Sequence, residues 1–425
     1  MTVQRTKVLF AIDSLTGGGA ERVLTRLANS FSRDVFNVQL VKTLAATARQ
    51  TVAPHVPVVD LFEDALTDID SLPSGGAMAD RLMARGALAA LGPSYWNKAG
   101  YQDLVDQVRV FRSAVKCLAR HVAAWSPDCV LSFLPNTNLI TLVARHCYDL
   151  RTAVVCSDRN FLSRELATLE FSPLRHRLTR AFYPRADRHV TMTDAAAEDL
   201  HVSFGISRKQ MVTIGNGVDA EGLGAQAGED LPQSWQELQR GRTPTLIQVG
   251  RLTAQKGNEI LIRALARIPK RPWRLLMLGD GELKDPLIGL VNQLGLAERI
   301  HFLGWDRNPY RWIARSDLFV LSSRWEGFPN ALLEAMALGV ATIATDCPTG
   351  PAEILDGGRF GRLVPSEAPA TLAEAIEQLL LDHERRKRLA ALGAQRALEY
   401  SMGKMVRRFE DLIRETAEAY RRRAR

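Results

Sequence analysis

Residues Ser316–Asp346 read SDLFVLSSRWEGFPNALLEAMALGVATIATD. The stretch opens on an apolar run of strand formers, DLFVLS, and closes on another, VATIAT, with a helical pattern between them. Strand, loop, helix and strand in that order form one repeat of a parallel sheet covered by helices. Pro329 fits the first turn of the helix. Glu326 then falls in the loop before it, and Glu334 inside it, just over one turn in. The amides of Phe328, Asn330 and Ala331 would point out of the helix start, where backbone N–H groups can hold a phosphate. One carboxylate can hydrogen-bond a polyhydroxylated group, and the second can reach a ribose.

The same alternation extends outward in both directions. KVLFAID at 7–13 is a first strand, followed by a glycine loop and a helix over 20–32 with Val23, Leu27 and Phe31 on one face. Strand-like runs recur at VFNVQLV, VPVVDL, DCVLSFL, TAVVCS, HVTMT and MVTIGN. They resume at TLIQVG, WRLLMLG and RIHFLG. Residues 62–102, with Pro73, Gly75, Gly76, Gly92 and Pro93, interrupt the rhythm and read as an insertion with short helices. The expected organisation is α/β, with two Rossmann-like, doubly wound domains facing across a cleft. The first domain spans 1–218, a polar linker spans 219–242, and the second domain spans 243–403. A helix over 404–425 follows, with Met405, Phe409, Leu412, Ile413, Ala417 and Tyr420 at steps of three and four. The carboxyl ends of the strands should face the cleft and bind the ligand.

Composition narrows the function classes. With 425 residues, 46% apolar and 24% charged, the chain suits two globular domains and excludes disordered, collagenous and coiled-coil classes. No uninterrupted apolar run reaches the length of a membrane span. The N-terminal run reads as a strand rather than a signal peptide. Cys117, Cys129, Cys147, Cys156 and Cys347 form no C-x-x-C pair, which fits a reducing cytoplasm. The net charge of +8 suits an anionic partner or simple solubility. Within PLRHRLTRAFYPRADR (173–188), Arg175, Arg177, Arg180, Arg185 and Arg188 stand beside apolar residues. This segment could dock on anionic lipid, or it could be an ordinary helix with a solvated basic face. No nucleic-acid module is recognisable.

Two further loops carry candidate chemistry. Thr16-Gly17-Gly18-Gly19-Ala20-Glu21-Arg22 follows the first strand and opens a helix. It matches neither the dinucleotide fingerprint nor the Walker loop, and a tight turn without a ligand explains it as well. Arg251 and Lys256, in VGRLTAQKGNEILIRAL, flank a turn at a strand's carboxyl end. Two cations there suit a diphosphate, although surface charges would look the same.

Taken together these segments resemble the retaining glycosyltransferases of family 4, which have the GT-B architecture, and the resemblance implies that the helix over 404–425 crosses back to the first domain. The resemblance rests on the GGGAER loop, GRLTAQKG, LGDGELKDPL, IHFLGW, SDLFVLSSRWEGFPNALLEAMALG and GPAEILDGGRFGRLVP, and it spans most of the chain. It implies transfer of a sugar, hexosyl or N-acetylhexosaminyl, from a nucleotide diphosphate sugar of the UDP kind. The acceptor would be a glycan or polyprenyl-linked molecule in the synthesis of surface polysaccharide or glycoconjugates. The loop TDCPTGPAEIL is similar to a subgroup that builds bacterial polysaccharides and lipid-linked oligosaccharides.

The resemblance also implies roles by position. Gly18 and Gly19 would approach the donor phosphate and the acceptor side. Arg251 and Lys256 would neutralise the diphosphate, with the amides at Phe328, Asn330 and Ala331. Glu326 would hold the transferred sugar as a catalytic residue, Glu334 would bind the ribose, and Gly304 and Trp305 would border the nucleobase. Many relatives place a histidine after the fifth strand. Here the segment holds Ser157, Asp158, Arg159 and Asn160, so Asp158 or Arg159 would do part of its work, with Asp158 counted among the catalytic residues. No metal or cofactor is expected, and the Asp68-Ile69-Asp70 triplet is read as part of the insertion. The expected location is cytoplasmic, peripheral on the inner face of the cell membrane. The alternatives are a glycan- or polyanion-binding scaffold without catalysis, a phosphorylase, which the lack of a pyridoxal-phosphate lysine motif disfavours, and a nucleotide-sugar epimerase of the same architecture.

Overall fold

The computed structural model of the chain describes residues 5–16, 18–44, 51–61, 98–169, 172–233, 235 and 243–424. Most of the insertion expected at 62–102, including Asp68 and Asp70, lies outside the described residues, as do Gly17 and residues 236–242 of the expected linker. The chain divides into two units, Met1–Ile214 with Val406–Arg425, and Gly215–Met405. Within the segment read as a linker, Ala220–Ala227 form a helix capped by the Asp219 side chain.

The first unit holds a seven-stranded sheet. Its strands are β1 (Thr6–Ile12), β2 (Phe36–Lys42), β3 (Val58–Asp60), β4 (Cys129–Phe133), β5 (Ala153–Ser157), β6 (Arg188–Thr191) and β7 (Met211–Thr213). They run in the order β3-β2-β1-β4-β5-β6-β7, with every pairing parallel. The second unit holds β8 (Thr245–Val249), β9 (Arg274–Leu278), β10 (Ile300–Gly304), β11 (Leu318–Leu321), β12 (Ala341–Asp346) and β13 (Arg362–Pro365). Their order is β10-β9-β8-β11-β12-β13, again all parallel. Apart from β7 at one edge, the two sheets have the same strand order, the doubly wound order that the alternation of the sequence predicts.

Burial explains why these runs become strands. A parallel sheet covered on both faces demands near-continuous apolar strands. Val8 to Ile12 of β1, all of β4 and all of β5 are buried accordingly. In the first unit Leu9, Val130 and Val154 meet Leu118 and Val122 of the helix Lys98–Trp125 and Leu139 and Leu142 of the helix Pro135–Cys147. In the second unit Leu246, Met277, Val320 and Ile343 meet Leu261 and Leu265 on one helix and Leu372 and Ile376 on another.

The strand order reverses between β1 and β4, and again between β8 and β11. Neighbouring loops leave in opposite directions at such a point and open a crevice beyond the carboxyl ends of the strands. In the second unit β8 and β11 are paired there through Leu246 with Leu318 and Ile247 with Phe319.

The helix Ser172–Phe182 carries most of the arginine-rich segment. Its Leu178 and Phe182 pack against the core of the first unit, while Arg177, Arg180 and Arg185 are exposed. Leu178 and Phe182 are thus used within the unit, and the exposed side carries these arginines. Among the described residues no helix is long and apolar enough to cross a membrane.

The helix Met402–Ala424 starts two residues before its expected beginning, and from Val406 onward it belongs to the first unit. Val406, Phe409, Leu412, Ile413 and Ala417 form its buried stripe. The Phe409 ring stacks on Phe133 at the end of β4, with centroids 6.4 Å apart. Glu410 accepts the Ser32 amide at 2.7 Å, and Arg423 pairs with Asp187 at 2.6 Å. Truncating Phe409 to Ala should leave a cavity between this helix and the sheet and destabilise the protein by about 3–5 kcal/mol. Thermal and denaturant melts measure this, and an unchanged midpoint would refute the packing role.

Candidate active site

The site is built from two loops at the carboxyl ends of β8 and β11. After β8 the chain makes a short 3-10 turn, Ala254–Lys256, and enters the helix Asn258–Leu265 through Gly257. Gly257 has φ +55°, and a Cβ there would lie 2.3 Å from the Ser322 carbonyl oxygen. Only glycine allows the two loops to approach this closely. They are stitched along their length: the Arg324 amide donates to Gln255 O (2.8 Å), Gln255 Nε2 to Trp325 O (3.0 Å), and Ser322 Oγ to Lys256 O (3.0 Å).

This stitching sets Lys256 against Glu326. Lys256 Nζ and Ser323 Oγ each donate to Glu326 Oε1 at 2.6 Å. Glu326 is 4% exposed, so its charge needs these partners, and deleting one of them would leave the other buried and uncompensated. Arg251 is exposed at the start of the same turn, and its Nη2 reaches Gln255 Oε1 at 3.5 Å.

The helix Asn330–Ala337 follows. Pro329, expected in its first turn, is the residue before it, with φ −73° and ψ 91°. The shift arises because the chain is still extended at Pro329 and turns helical only at Asn330. No side chain caps this end. The first-turn amides, those of Asn330 and Ala331 among them, therefore have no partner within the helix and carry the positive end of its dipole. Phe328 is buried against Tyr400, with ring centroids 5.6 Å apart. Asn330 Oδ1 accepts from Asn216 Nδ2 at 2.5 Å. Glu334 is 5% exposed and accepts from the Tyr310 hydroxyl at 3.3 Å. Lys256, Glu326, Phe328, Asn330, Ala331 and Glu334 thus lie on one continuous strand-end, loop and helix-start arrangement. Trp305, just beyond β10, is 62% exposed.

The remaining expected site residues belong to the first unit. Gly18 is the extended residue before the helix Gly19–Ser30, whose start also has no side-chain cap. Asp158, just beyond β5, is 3% exposed. Its Oδ1 accepts from Asn138 Nδ2 (3.1 Å) and the Tyr183 hydroxyl (3.0 Å), both from fully buried residues. Burial raises its pKa to about 7, against those two hydrogen bonds. Asp158, expected among the groups that act on substrate, is thus a buried carboxylate held through Oδ1 by Asn138 and Tyr183. Burial likewise lowers the Arg159 guanidinium to about 9, and its Nη1 donates to Ser157 Oγ at 3.2 Å.

Sequence reading missed the residues that hold the carboxylates: Ser323 and Tyr310 in the second unit, Asn138 and Tyr183 in the first. Ser323 left a trace, the second of two serines that follow an apolar strand, three residues before the glutamate. The other three come from elements distant in sequence and left none. Among the described residues, no group of three or more His, Cys, Asp or Glu side chains converges as a metal site.

Comparison with known proteins matches residues 231–396 to the family model "Glycosyl transferases group 1" and residues 99–221 to "Glycosyltransferase Family 4". The chain is 32% identical over 281 residues to N-acetylgalactosamine-N,N'-diacetylbacillosaminyl-diphospho-undecaprenol 4-alpha-N-acetylgalactosaminyltransferase of Campylobacter jejuni, covering 66% of this chain and 74% of that protein. Among solved structures it superposes on sucrose-phosphate synthase from Thermosynechococcus elongatus with a TM-score of 0.74 at 17% identity, covering 98% of this chain and 100% of the other. It also superposes on Anabaena HepE in complex with UDP-glucose, with a TM-score of 0.70 at 20% identity and the same coverages, 98% and 100%.

The raised pKa of Asp158 has a consequence for stability. The native protein keeps this proton to about pH 7, whereas the unfolded chain loses it near the ordinary aspartate value of about 4. The contribution is therefore fully present below about pH 4 and is lost as pH rises through about 7. Asp158→Asn preserves an acceptor for Asn138 and Tyr183 but carries no such proton. Its melting temperature should fall less than that of the wild type between pH 4 and pH 7. Parallel curves for the two proteins over that interval would refute the assignment.

Proposed function

The chain belongs to the family 4 glycosyltransferases of the GT-B architecture, and from that premise we propose that it moves a sugar, with retention at the anomeric carbon, from a UDP-sugar to a glycan or lipid-linked acceptor. The observation that carries this reading is the 2.6 Å pair between Lys256 and Glu326 at the β8–β11 switch point, with Glu334 in the helix that follows. A cation from the loop after β8, with an uncapped helix start and two buried carboxylates from the segment after β11, suits a ligand that is anionic in its middle and hydroxylated at both ends.

In this reading Lys256, Arg251 and the amides at Asn330 and Ala331 face the diphosphate. As the anomeric C–O bond breaks, negative charge gathers on the β-phosphate, and fixed positive groups stabilise that change. The new C–O bond forms to the acceptor hydroxyl on the same face, and the departing phosphate oxygen takes the hydroxyl proton. Glu326, held by Lys256 and Ser323, orients the transferred sugar. Glu334, held by Tyr310, binds the ribose, and exposed Trp305 borders the base. Asp158 acts as a positioning residue for the segment after β5. The name of the Campylobacter jejuni relative supports an undecaprenyl-linked acceptor and an N-acetylhexosamine donor.

The glutamates separate transfer from simple binding. Glu334→Ala should raise KM for the donor and weaken binding of bare UDP, because the ribose does not react. Glu326→Gln should lower kcat by on the order of 10²-fold and leave bare UDP binding unchanged. Steady-state kinetics and calorimetry on folded variants measure both. Full turnover by Glu326→Gln, or equal loss of UDP affinity in the two variants, would remove the role assignment.

A lipid-linked acceptor would bring the enzyme to an anionic membrane surface, and the exposed Arg177, Arg180 and Arg185 support contact by charge alone. Each basic residue near such a surface contributes about 1 kcal/mol, screened by salt. Flotation with phosphatidylglycerol vesicles should therefore occur at low salt and vanish at high salt. Binding that resists salt would point instead to apolar insertion.

A further inference from the structure

Beyond β12 the chain runs Cys347-Pro348-Thr349-Gly350 before the short helix Pro351–Ile354. This segment packs on the Glu326 loop at Gly350. Gly350 has φ +89°, and a Cβ there would lie 2.6 Å from Pro329 Cδ and 3.1 Å from Gly327 O. The buried Cys347 thiol is pushed up to about 12, chiefly by burial and then by the charge of Glu326, with Lys256 acting in the opposite sense. Pro348 is exposed, while Thr349, next to Gly350, is only 3% exposed.

The hydroxyls around Glu326 are otherwise satisfied. Ser322 donates to Lys256 O at 3.0 Å, Ser323 to Glu326 at 2.6 Å, and Thr345 to Ser323 O at 2.6 Å. Thr349 Oγ1 is buried and has no hydrogen-bond partner. A buried hydroxyl left unpaired is costly, and such groups in native proteins generally have a partner that is absent from the protein itself. Glu326 is the residue read here as holding the transferred sugar, so a partner beside it is a part of that sugar.

We propose that Thr349 is a specificity-determining residue for the donor, its hydroxyl forming a hydrogen bond with a polar substituent, hydroxyl or acetamido, of the transferred sugar. The inference rests on the donor-site reading given above. It places sugar selection in the loop after β12, and phosphate and ribose binding in the loops after β8 and β11. A site that hydrogen-bonds one substituent discriminates strongly against sugars that lack it.

The test uses the full chain and the nucleotide sugar that wild type turns over best in a panel of UDP-hexoses and UDP-N-acetylhexosamines. Thr349→Val keeps the shape and removes the hydroxyl, whereas Thr349→Ser keeps the hydroxyl. Thr349→Val should lower kcat/KM for that donor about tenfold or more, with affinity for bare UDP unchanged. Thr349→Ser should retain most of the activity. With the deoxy or deacetamido donor that lacks the bonded substituent, wild type and Thr349→Val should become equal. If Thr349→Val matches wild type on the full donor, or changes only the melting temperature, as loss of a buried water site would, the proposal is overturned while the donor-site reading stands. It is also overturned if bare UDP affinity falls in proportion, or if Thr349→Ser loses as much as Thr349→Val. If wild type neither binds nor turns over any sugar in the panel, the donor-site reading falls and the proposal falls with it.

Discussion

A carboxylate removed from water must be met by charge and hydrogen bonds, and Glu326 is met by Lys256 Nζ and Ser323 Oγ. The arrangement of the second unit follows from delivering those partners. Lys256 comes from the loop after β8 and Ser323 from the loop after β11, strands that are adjacent only because the sheet order reverses between them. Gly257 lets the loops touch, the side chains of Gln255 and Ser322 tie them to facing backbone carbonyls, and the Arg324 amide ties them backbone to backbone. The pair is therefore held from two loops at the carboxyl ends of adjacent strands, with its hydrogen bonds already in place.

The two units compensate a buried carboxylate differently. Glu326 has a cation within hydrogen-bonding reach. Asp158 has the neutral donors Asn138 and Tyr183, which only partly offset the burial that raises its proton affinity. A group met by neutral donors is suited to holding a backbone segment in place and is poorly suited to carrying negative charge at neutral pH. The same functional group, a carboxylate, thus meets two different environments in the two units.

The sheets were legible because fully buried parallel strands are apolar throughout: LFVL and ATIATD announce β11 and β12 without any alignment. β13 escaped notice because its four residues, RLVP, begin with an arginine and end in a proline at the sheet's edge. The glutamates, Lys256 and the helix start could be read from local spacing, since one loop and one helix turn position them. Pro329 was placed one residue too far along the helix, an error within the ordinary uncertainty of helix ends. Tyr310, Asn138 and Tyr183 could not be read, because what brings them to Glu334 and Asp158 is tertiary packing with no periodic trace. The burial of Asp158 was hidden for the same reason: spacing shows that a residue follows a strand, but not which way its side chain faces.

The helix Met402–Ala424 gives the first unit its last layer only after the whole second unit has been made. While the polypeptide emerges from the ribosome, Phe133 must wait for Phe409, and the Ser32 amide for Glu410, across more than 270 intervening residues in the first case. Domains that are continuous in sequence can settle one after another during synthesis. This one cannot finish until Val406–Ala417 have cleared the exit tunnel, so the apolar surface that will receive them stays uncovered throughout translation of the second unit. Premature termination within residues 215–405 would release a chain whose first unit is complete in its strands yet lacks its closing helix, a species that chaperones and proteases would be expected to recognise.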